Sequence, residues 1–239
     1  MRFVLPKTAL LLTAISCLAT AASAGTLYFE DFEVEAGTPL TDLGFTDVWN
    51  QGSEVADTTE LGLAFDSRAG SGGPYFPSMD IPSPTVSMSR YEISIDMYVD
   101  VQTQNSGIQV FTNTATNDSF AFIRHNKGAD TWDASLWSGS GALSSYTVLS
   151  GGGSGVYNVK LVVDVPTLTM WAEVDGNASG SVTIAASDLP NMNKVWITDD
   201  PRDGPGAVFD NLLVASVPEP GSLLLLASGL IALLVWRKR

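Results

Sequence analysis

Cysteine, histidine and basic residues are scarce in this sequence of 239 residues. Its one cysteine is Cys17 and its one histidine is His125. A disulfide, a thiolate metal site and a histidine-rich metal site are therefore excluded. A Ser-His-Asp hydrolase would have to use His125, but the sequence has no G-x-S-x-G motif, and the neighbours of this histidine predict a strand end and a turn.

The charge is strongly one-sided. Twelve lysines and arginines stand against 26 acidic residues, which gives a net charge of −14. Five of the twelve basic residues lie close to the two chain ends, so the region between them is more acidic than the whole chain. Such a negative field repels nucleic acid, which is excluded as a partner, and favours cation binding. With 45% hydrophobic residues, the chain is nevertheless expected to be globular.

The first 24 residues have the pattern of a secretory signal peptide. Arg2 and Lys7 precede an apolar stretch that runs from residue 9 to about residue 19, and Ala22 and Ala24 form an A-x-A cleavage site. The mature chain is predicted to begin at Gly25. The alternative, an uncleaved anchor, is disfavoured because the apolar stretch is too short to cross about 30 Å of hydrocarbon.

Between residues 25 and 216, apolar residues alternate with polar ones, as in half-buried strands. The segment RYEISIDMYVDV (residues 90–101) and the segment VYNVKLVVDVPTLTMWAEV (residues 156–174) show this period most clearly, and the second predicts a hairpin with its turn at residues 164–167. Further strands are predicted at residues 26–32, 61–65, 107–112, 119–125, 132–137, 181–184, 194–198 and 207–215. Ten or more short strands separated by Gly, Ser, Pro and Asn clusters predict an all-β domain, a β-sandwich or jelly roll.

Three segments of this region resemble concanavalin A-like jelly-roll domains of bacterial exported proteins. They are the opening YFEDFE (residues 28–33), the hairpin just described and the closing VFDNLLV (residues 208–214). The resemblance implies that the first and last strands pair, which would bring Asp31 close to Asp210. Such sandwiches serve as lectins, glycosidases, adhesins and spacers, so the fold alone does not define the function.

The C-terminal tail contains a short apolar segment. Residues 221–236 would form a transmembrane helix of about 24 Å, which is marginal against about 30 Å of hydrocarbon. Pro218 and Pro220 disfavour helix before residue 221, so the preceding four residues are expected to be extended outside the membrane. The basic cluster Arg237, Lys238 and Arg239 is expected to stay in the cytoplasm, which places the body on the exported side.

The motif Val217, Pro218, Glu219 and Pro220, the apolar segment and the basic cluster together resemble the PEP-CTERM sorting signal of Gram-negative bacteria. The resemblance implies a membrane-anchored precursor, an exosortase-type membrane protease as partner, a cut near the proline motif, and delivery through the inner membrane to the cell surface or extracellular matrix. The alternative is a tail anchor that is never cleaved. The predicted units are residues 1–24, 25–216 and 217–239.

An enzyme of this fold would carry closely paired carboxylates, as in the E-x-D-x-x-E pattern of jelly-roll glucanases. The sequence lacks that pattern. The nearest candidates, Glu92, Asp96 and Asp100, are spaced four apart in a strand, so neighbours are about 13 Å from each other. The sequence therefore predicts a protein without catalytic residues, with a divergent glycan hydrolase or lyase as the alternative.

Two groups of oxygen ligands are candidates for a structural calcium ion, and no other cofactor is predicted. One consists of Asp31, Asp210 and Asn211, if the terminal strands pair. The other is formed by Asp200 and Asp203.

Two aromatic residues are candidates for glycan contacts. In WDASLW (residues 132–137), alternation places Trp132 in the core and Trp137 on the other face with Asp133 and Ser135, a combination that stacks on and hydrogen-bonds to sugar rings. Tyr146 follows after a glycine-containing loop. The leading hypothesis is an exported, non-enzymatic surface or matrix protein that binds glycans such as exopolysaccharide.

Overall fold

The computed structural model describes residues 25–47, 54–69, 77–103, 105–111, 119–138, 141–198 and 206–218. The predicted signal peptide, Glu219, Pro220, the predicted transmembrane helix and the basic cluster lie outside these residues. Within the described part of the chain, no helix has the length and apolar character needed to span a membrane.

The described residues form strands and only short 3-10 helices. The strands are β1 Gly25–Glu30, β2 Thr46–Asp47, β3 Val55–Thr58, β4 Gly62–Asp66, β5 Pro77–Asp80, β6 Met88–Val99, β7 Ser106–Phe111, β8 Ser119–Asn126, β9 Thr131–Trp137, β10 Leu143–Ser150, β11 Gly155–Asp164, β12 Thr169–Val174, β13 Asn177–Ala178, β14 Val182–Thr183, β15 Lys194–Thr198 and β16 Val208–Pro218. The 3-10 helices are Leu40–Leu43, Ser67–Ala69 and Leu189–Asn191.

The strands make two antiparallel sheets. In the described residues, the nine-stranded sheet has the order β13-β12-β11-β6-β16-β4-β3, with β1 added beside β16 and β14 beside β12. The seven-stranded sheet has the order β10-β9-β8-β7-β15-β5-β2. The two-sheet sandwich predicted from the alternation is therefore confirmed.

One hydrophobic core lies between the sheets, filled by the inward-facing residues of both. From β6 it receives Tyr91, Ile93, Ile95, Met97 and Val99, all 0% exposed, as the period of two predicted. From β9 it receives Trp132, which is 1% exposed. The placement of Trp132 in the core is confirmed.

The closing strand β16 lies in the interior of the nine-stranded sheet. One side of β16 pairs with β6, and the other side pairs first with β4 and then with β1. The β1 register runs from Gly25 opposite Ser216 to Glu30 opposite Leu212. The expected pairing of the first and last strands is therefore confirmed.

A bulge divides β16 into two halves. Asp210 lies opposite Asp96 and Leu213 lies opposite Ser94, so β16 has one residue more than β6 between these pairs. Asn211 takes up the extra residue with a positive φ of 54°, a conformation that asparagine tolerates better than most residues. The bulge lies at the change of neighbour from β4 to β1.

The end of β16 differs from the predicted boundary at residue 215. The strand continues to Pro218, because Arg90 and Met88 at the start of β6 offer backbone partners to Val217 and Pro218. A proline at a strand end is tolerated since the missing amide is not required there. The first two residues of the sorting motif are thus extended, as expected, but they belong to the sheet.

Candidate functional site

The outer face of the seven-stranded sheet carries the best candidate for a binding site. In β9, Ala134 and Leu136 are fully buried, so the alternate residues Asp133, Ser135 and Trp137 point away from the core and are half-buried. The three residues therefore share one face of the strand, as the sequence predicts.

The neighbouring strands extend this surface. In register across the sheet, Ser135 lies opposite Phe122 of β8, Phe122 opposite Gln109 of β7, and Gln109 opposite Trp196 of β15. We call the group Asp133, Ser135, Trp137, Phe122, Arg124 and Gln109 the Trp137 face. It combines aromatic rings with amide, hydroxyl and charged groups, so it offers both stacking surfaces and hydrogen-bonding groups.

Hydrogen bonds fix the two charged members of the Trp137 face. The Arg124 guanidinium donates to Asn105 Oδ1 at 2.9 Å and lies 5.1 Å from the centre of the Phe122 ring. The Asp133 carboxylate accepts from Thr147 Oγ1 at 3.1 Å and from Asn126 Nδ2 at 3.3 Å. These side chains are therefore positioned before any ligand arrives, which lowers the entropic cost of binding.

Tyr146 does not belong to the Trp137 face. It lies opposite Ala134 in the β10–β9 register, whereas Leu143 lies opposite Trp137. Leu143 and Tyr146 are three positions apart, and side chains separated by an odd number of positions in a strand point to opposite faces. Tyr146 therefore points to the core side. There its hydroxyl donates to Ser181 O at 3.4 Å, and its ring covers Gly180 so closely that a Cβ at that glycine would overlap it. The two candidate glycan contacts are therefore not brought together.

The carboxylates considered for catalysis lie on the other sheet or beyond it. On the outer face of the nine-stranded sheet, Glu92 contacts Arg90 at 2.6 Å and Lys160 at 3.4 Å. Asp96 Oδ1 accepts from Asn158 Nδ2 at 2.8 Å. Asp100, which follows β6, caps a turn through the amide of Gln102. Among the described residues of the Trp137 face, Asp133 is the single carboxylate.

Several acidic side chains lie close together around the bulge in β16. Asn211 Nδ2 donates to Asp96 Oδ2 and to Asp210 Oδ2, both at 3.1 Å. Burial, partly offset by the hydrogen bond from the Asn211 amide, and the nearby charges of Asp96, Glu33 and Asp31 raise the pKa of Asp210 to about 6.

The calcium candidates stay predictions. Asp31 does lie near Asp210, since its charge contributes to that pKa shift. Within the described residues, however, no group of three or more acidic, histidine or cysteine side chains is arranged to hold a metal ion. Asp200 and Asp203 fall outside the described residues.

His125 is part of the core at one end of the sandwich. It is 1% exposed, its Nδ1 lies 2.7 Å from Thr103 O, and its Nε2 lies 3.4 Å from Asp130 Oδ1. Its ring packs edge-on against Trp132 at 5.4 Å. Buried contacts on both ring nitrogens indicate a structural role.

A second cation–aromatic pair was not foreseen from the sequence. Arg90 lies 5.4 Å from the centre of the Trp171 ring, and Trp171 Nε1 donates to Glu173 at 2.7 Å. Both residues point outward by the same alternation that buries Tyr91 and Met170. Trp171 lies between Met170 and Ala172, which the predicted hairpin places on the inner face. The same alternation therefore predicts that Trp171 is on the outer face.

Solved structures resemble the chain in fold at low sequence identity. A conserved carbohydrate esterase from the Shiga toxin-encoding bacteriophage phi24B is 12% identical with a TM-score of 0.54, over 82% of this chain and 100% of that chain. The globular domain of T. cruzi calreticulin is 10% identical with a TM-score of 0.52, over 85% and 92%.

The binding domain of botulinum neurotoxin serotype D is 11% identical with a TM-score of 0.51. It matches 87% of this chain, which spans about half of that structure, 52%. No curated protein matches the sequence. Together with the sheet order, these likenesses define a concanavalin A-like sandwich.

The C-terminus shows a sequence match of its own. Residues 216–239 match the PEP-CTERM protein-sorting motif. The chain therefore carries a PEP-CTERM sorting signal behind a concanavalin A-like body, and proteins with this signal are exported and sorted to the cell surface.

Proposed function

We propose that this protein is a non-enzymatic component of the surface or extracellular matrix of a Gram-negative bacterium, and that it binds glycan through the Trp137 face. Its sorting signal brings it to an exosortase-type protease, which removes the tail. The body then remains at the cell surface or in the matrix, where its proposed ligand is exopolysaccharide.

The observation that carries the proposal is the position of Trp137. It is half-buried, on an outer sheet face, in the same strand and on the same side as Ser135 and Asp133. An aromatic ring offers an apolar surface to the C–H groups of a sugar, while hydroxyl and carboxylate groups accept its hydroxyl protons. Phe122 and Gln109 extend the same combination across the sheet.

The positions of the carboxylates support the proposal of a non-enzymatic role. Retaining and inverting glycosidases need two carboxyl groups about 5–10 Å apart. In the part of the Trp137 face that the structure describes, no second carboxylate accompanies Asp133, which accepts hydrogen bonds from Thr147 and Asn126. The fold is shared with a carbohydrate esterase and a toxin binding domain, so it fits either a binding or a catalytic body.

A glycan array and a reducing-sugar assay, both on protein purified from the exported fraction of a producer, test the proposal. Binding without turnover is the expected result. Turnover of a bound glycan would refute the non-enzymatic role. Binding unaltered in Trp137→Ala but lost in Trp171→Ala, which removes an outward tryptophan of the other sheet, would refute the Trp137 face as the site.

A further inference from the structure

The sheet holds the first two residues of the sorting motif. Val217 lies opposite Arg90 and Pro218 lies opposite Met88 in the β16–β6 register. On the other side of β16, pairing with β1 extends to Ser216, which lies opposite Gly25. The motif thus begins inside the folded body and not in a free linker.

The partner strand is itself firmly held. β6 pairs along its other side with β11, up to Arg90 opposite Asp164. Just beyond this pair, the Val165 amide donates to Ser89 O at 3.2 Å. The Arg90 side chain contacts Glu92 at 2.6 Å and lies over the Trp171 ring. The end of β16 therefore lies against a strand that is fixed from both its backbone and its side chains.

Peptide bonds in a paired strand are poor protease substrates. A protease must bring the scissile peptide bond itself into its active site, and a bond whose flanking residues both pair within a sheet must first be released. Releasing Val217 and Pro218 requires breaking their pairing with Arg90 and Met88 at the start of β6. Bonds after Pro218 carry no such requirement from these pairings.

We propose that the folded sheet sets the N-terminal limit of tail processing, so that the cut falls after Pro218 and leaves β16 whole. In this hydrolysis the peptide C–N bond breaks, the hydroxyl of one water joins the carbonyl carbon, and a water proton goes to the released amine. The inference rests on the proposed sorting function, and it adds the position of the cut relative to the fold.

The mature C-terminus in a native producer is the first test. Mass spectrometry of the exported protein is expected to show a chain that begins at Gly25 and ends at Pro218 or later. A mature chain that ends at Val217 or earlier would overturn this inference alone. A tail that is retained in every fraction would overturn the sorting function and this inference together.

The second test uses the full chain in detergent and proteinase K. Digestion of the folded wild type is expected to stop at Pro218 or later. Insertion of Gly-Ser-Gly-Ser between Ser216 and Val217 moves the motif off the sheet, so the digest should now proceed to Ser216. The matched control carries the same insertion between Pro220 and Gly221, and its digest should resemble the wild type. Trimming of the folded wild type to Ser216 would refute protection by the sheet.

Discussion

Trp137 and Tyr146 lie on opposite faces of the seven-stranded sheet. Trp137 points outward opposite Leu143, whereas Tyr146 points inward opposite Ala134 and packs over Gly180. Side chains on the two faces of one sheet cannot contact the same ligand at the surface. The two aromatic residues therefore have separable roles, one in binding and one in packing.

Glycan affinity is expected to depend on Trp137. Replacing Trp137 with alanine removes a stacking ring, which costs about 1–2 kcal/mol and thus about 5- to 30-fold in affinity. Isothermal titration with the glycan found on the array measures the change. The midpoint of urea unfolding should stay close to that of the wild type, because the ring is half-buried on the outside of the sheet.

Tyr146→Phe should show the complementary behaviour. The variant loses only the hydroxyl that donates to Ser181 O at 3.4 Å, so its glycan affinity should equal that of the wild type. A loss of affinity as large as that of Trp137→Ala would contradict the separation of the two faces.

Asp210 should make the protein less stable above pH 6 than below it. Its pKa is about 6 in the folded protein against 3.8 as the ordinary value, so the folded state binds the proton more readily. A group with a raised folded pKa favours folding when it is protonated, and this contribution is lost as the pH rises from about 4 through about 6. Asp210→Asn should therefore be more stable than the wild type at pH 8, by about 1–3 kcal/mol.

Urea unfolding of both proteins at pH 8 and pH 4, in the presence of a chelator, measures this difference. The advantage of Asp210→Asn should be much smaller at pH 4, where Asp210 is protonated in the folded protein and only partly ionised in the unfolded chain. An advantage of equal size at both pH values would show that Asp210 does not titrate as described. Repeating the pH 8 experiment with calcium tests the predicted ion as well, since a bound cation would favour the wild type.

Arg68 should stabilise the β3–β4 end of the nine-stranded sheet. Its guanidinium contacts Glu60 at 2.7 Å and Asp66 at 2.9 Å, and it lies 5.6 Å from the centre of the Tyr98 ring. Arg68→Met keeps the apolar stem and loses these interactions, so unfolding should require about 1–2 kcal/mol less at pH 7. Thermal or urea unfolding measures the loss.

The pH dependence provides the control for Arg68. The hydrogen bond from Arg68 lowers the pKa of Glu60 from 4.5 to about 2. This carboxylate therefore stabilises the folded state above pH 4.5 and loses that effect as the pH falls towards 2. The gap between wild type and Arg68→Met should narrow over this range. A constant gap would indicate that the loss comes from packing alone.

Gly107 should not tolerate a side chain. A Cβ at this position in β7 would overlap the backbone carbonyl of Ile123 in β8. Backbone cannot yield as a side chain can, so Gly107→Ala is expected to destabilise the protein by about 2 kcal/mol or more. The matched control is Gly155→Ala in β11, where the nearest atom lies 3.7 Å away. Equal stability of the two variants would contradict the close approach of β7 and β8.

Strands with strong alternation could be predicted from the sequence, and strands at sheet edges could not. The β11–β12 hairpin was predicted because its apolar residues recur on one face and its turn contains Pro166. β10 was missed because LSSYTVLS pairs only with β9 in the described residues and its apolar residues do not alternate regularly with polar ones, since a bulge interrupts the strand between Thr147 and Leu149. Since the strand was missed, the inward direction of Tyr146 could not be derived.

Sheet register explains the remaining differences. The sequence pattern placed Trp137 outward because only the neighbours within one strand were needed. The extension of β16 to Pro218 depends on where β6 begins, at Met88, and this relation joins residues 130 positions apart. The cluster of Arg90 and Trp171 likewise depends on the alignment of β6, β11 and β12. No local pattern contains that information.

The pairing of Gly25 with Ser216 also affects how the body could be redesigned. Because these two residues are antiparallel neighbours, a short linker would join them, and new ends could be opened at the exposed Gly151 between β10 and β11. Gly155 lies opposite Val99, at the other end of β6 from Arg90. A sorting tail attached to such a circular permutant would leave from the opposite end of the sandwich. The domain would then present to the solvent the end that faces the membrane in the natural precursor.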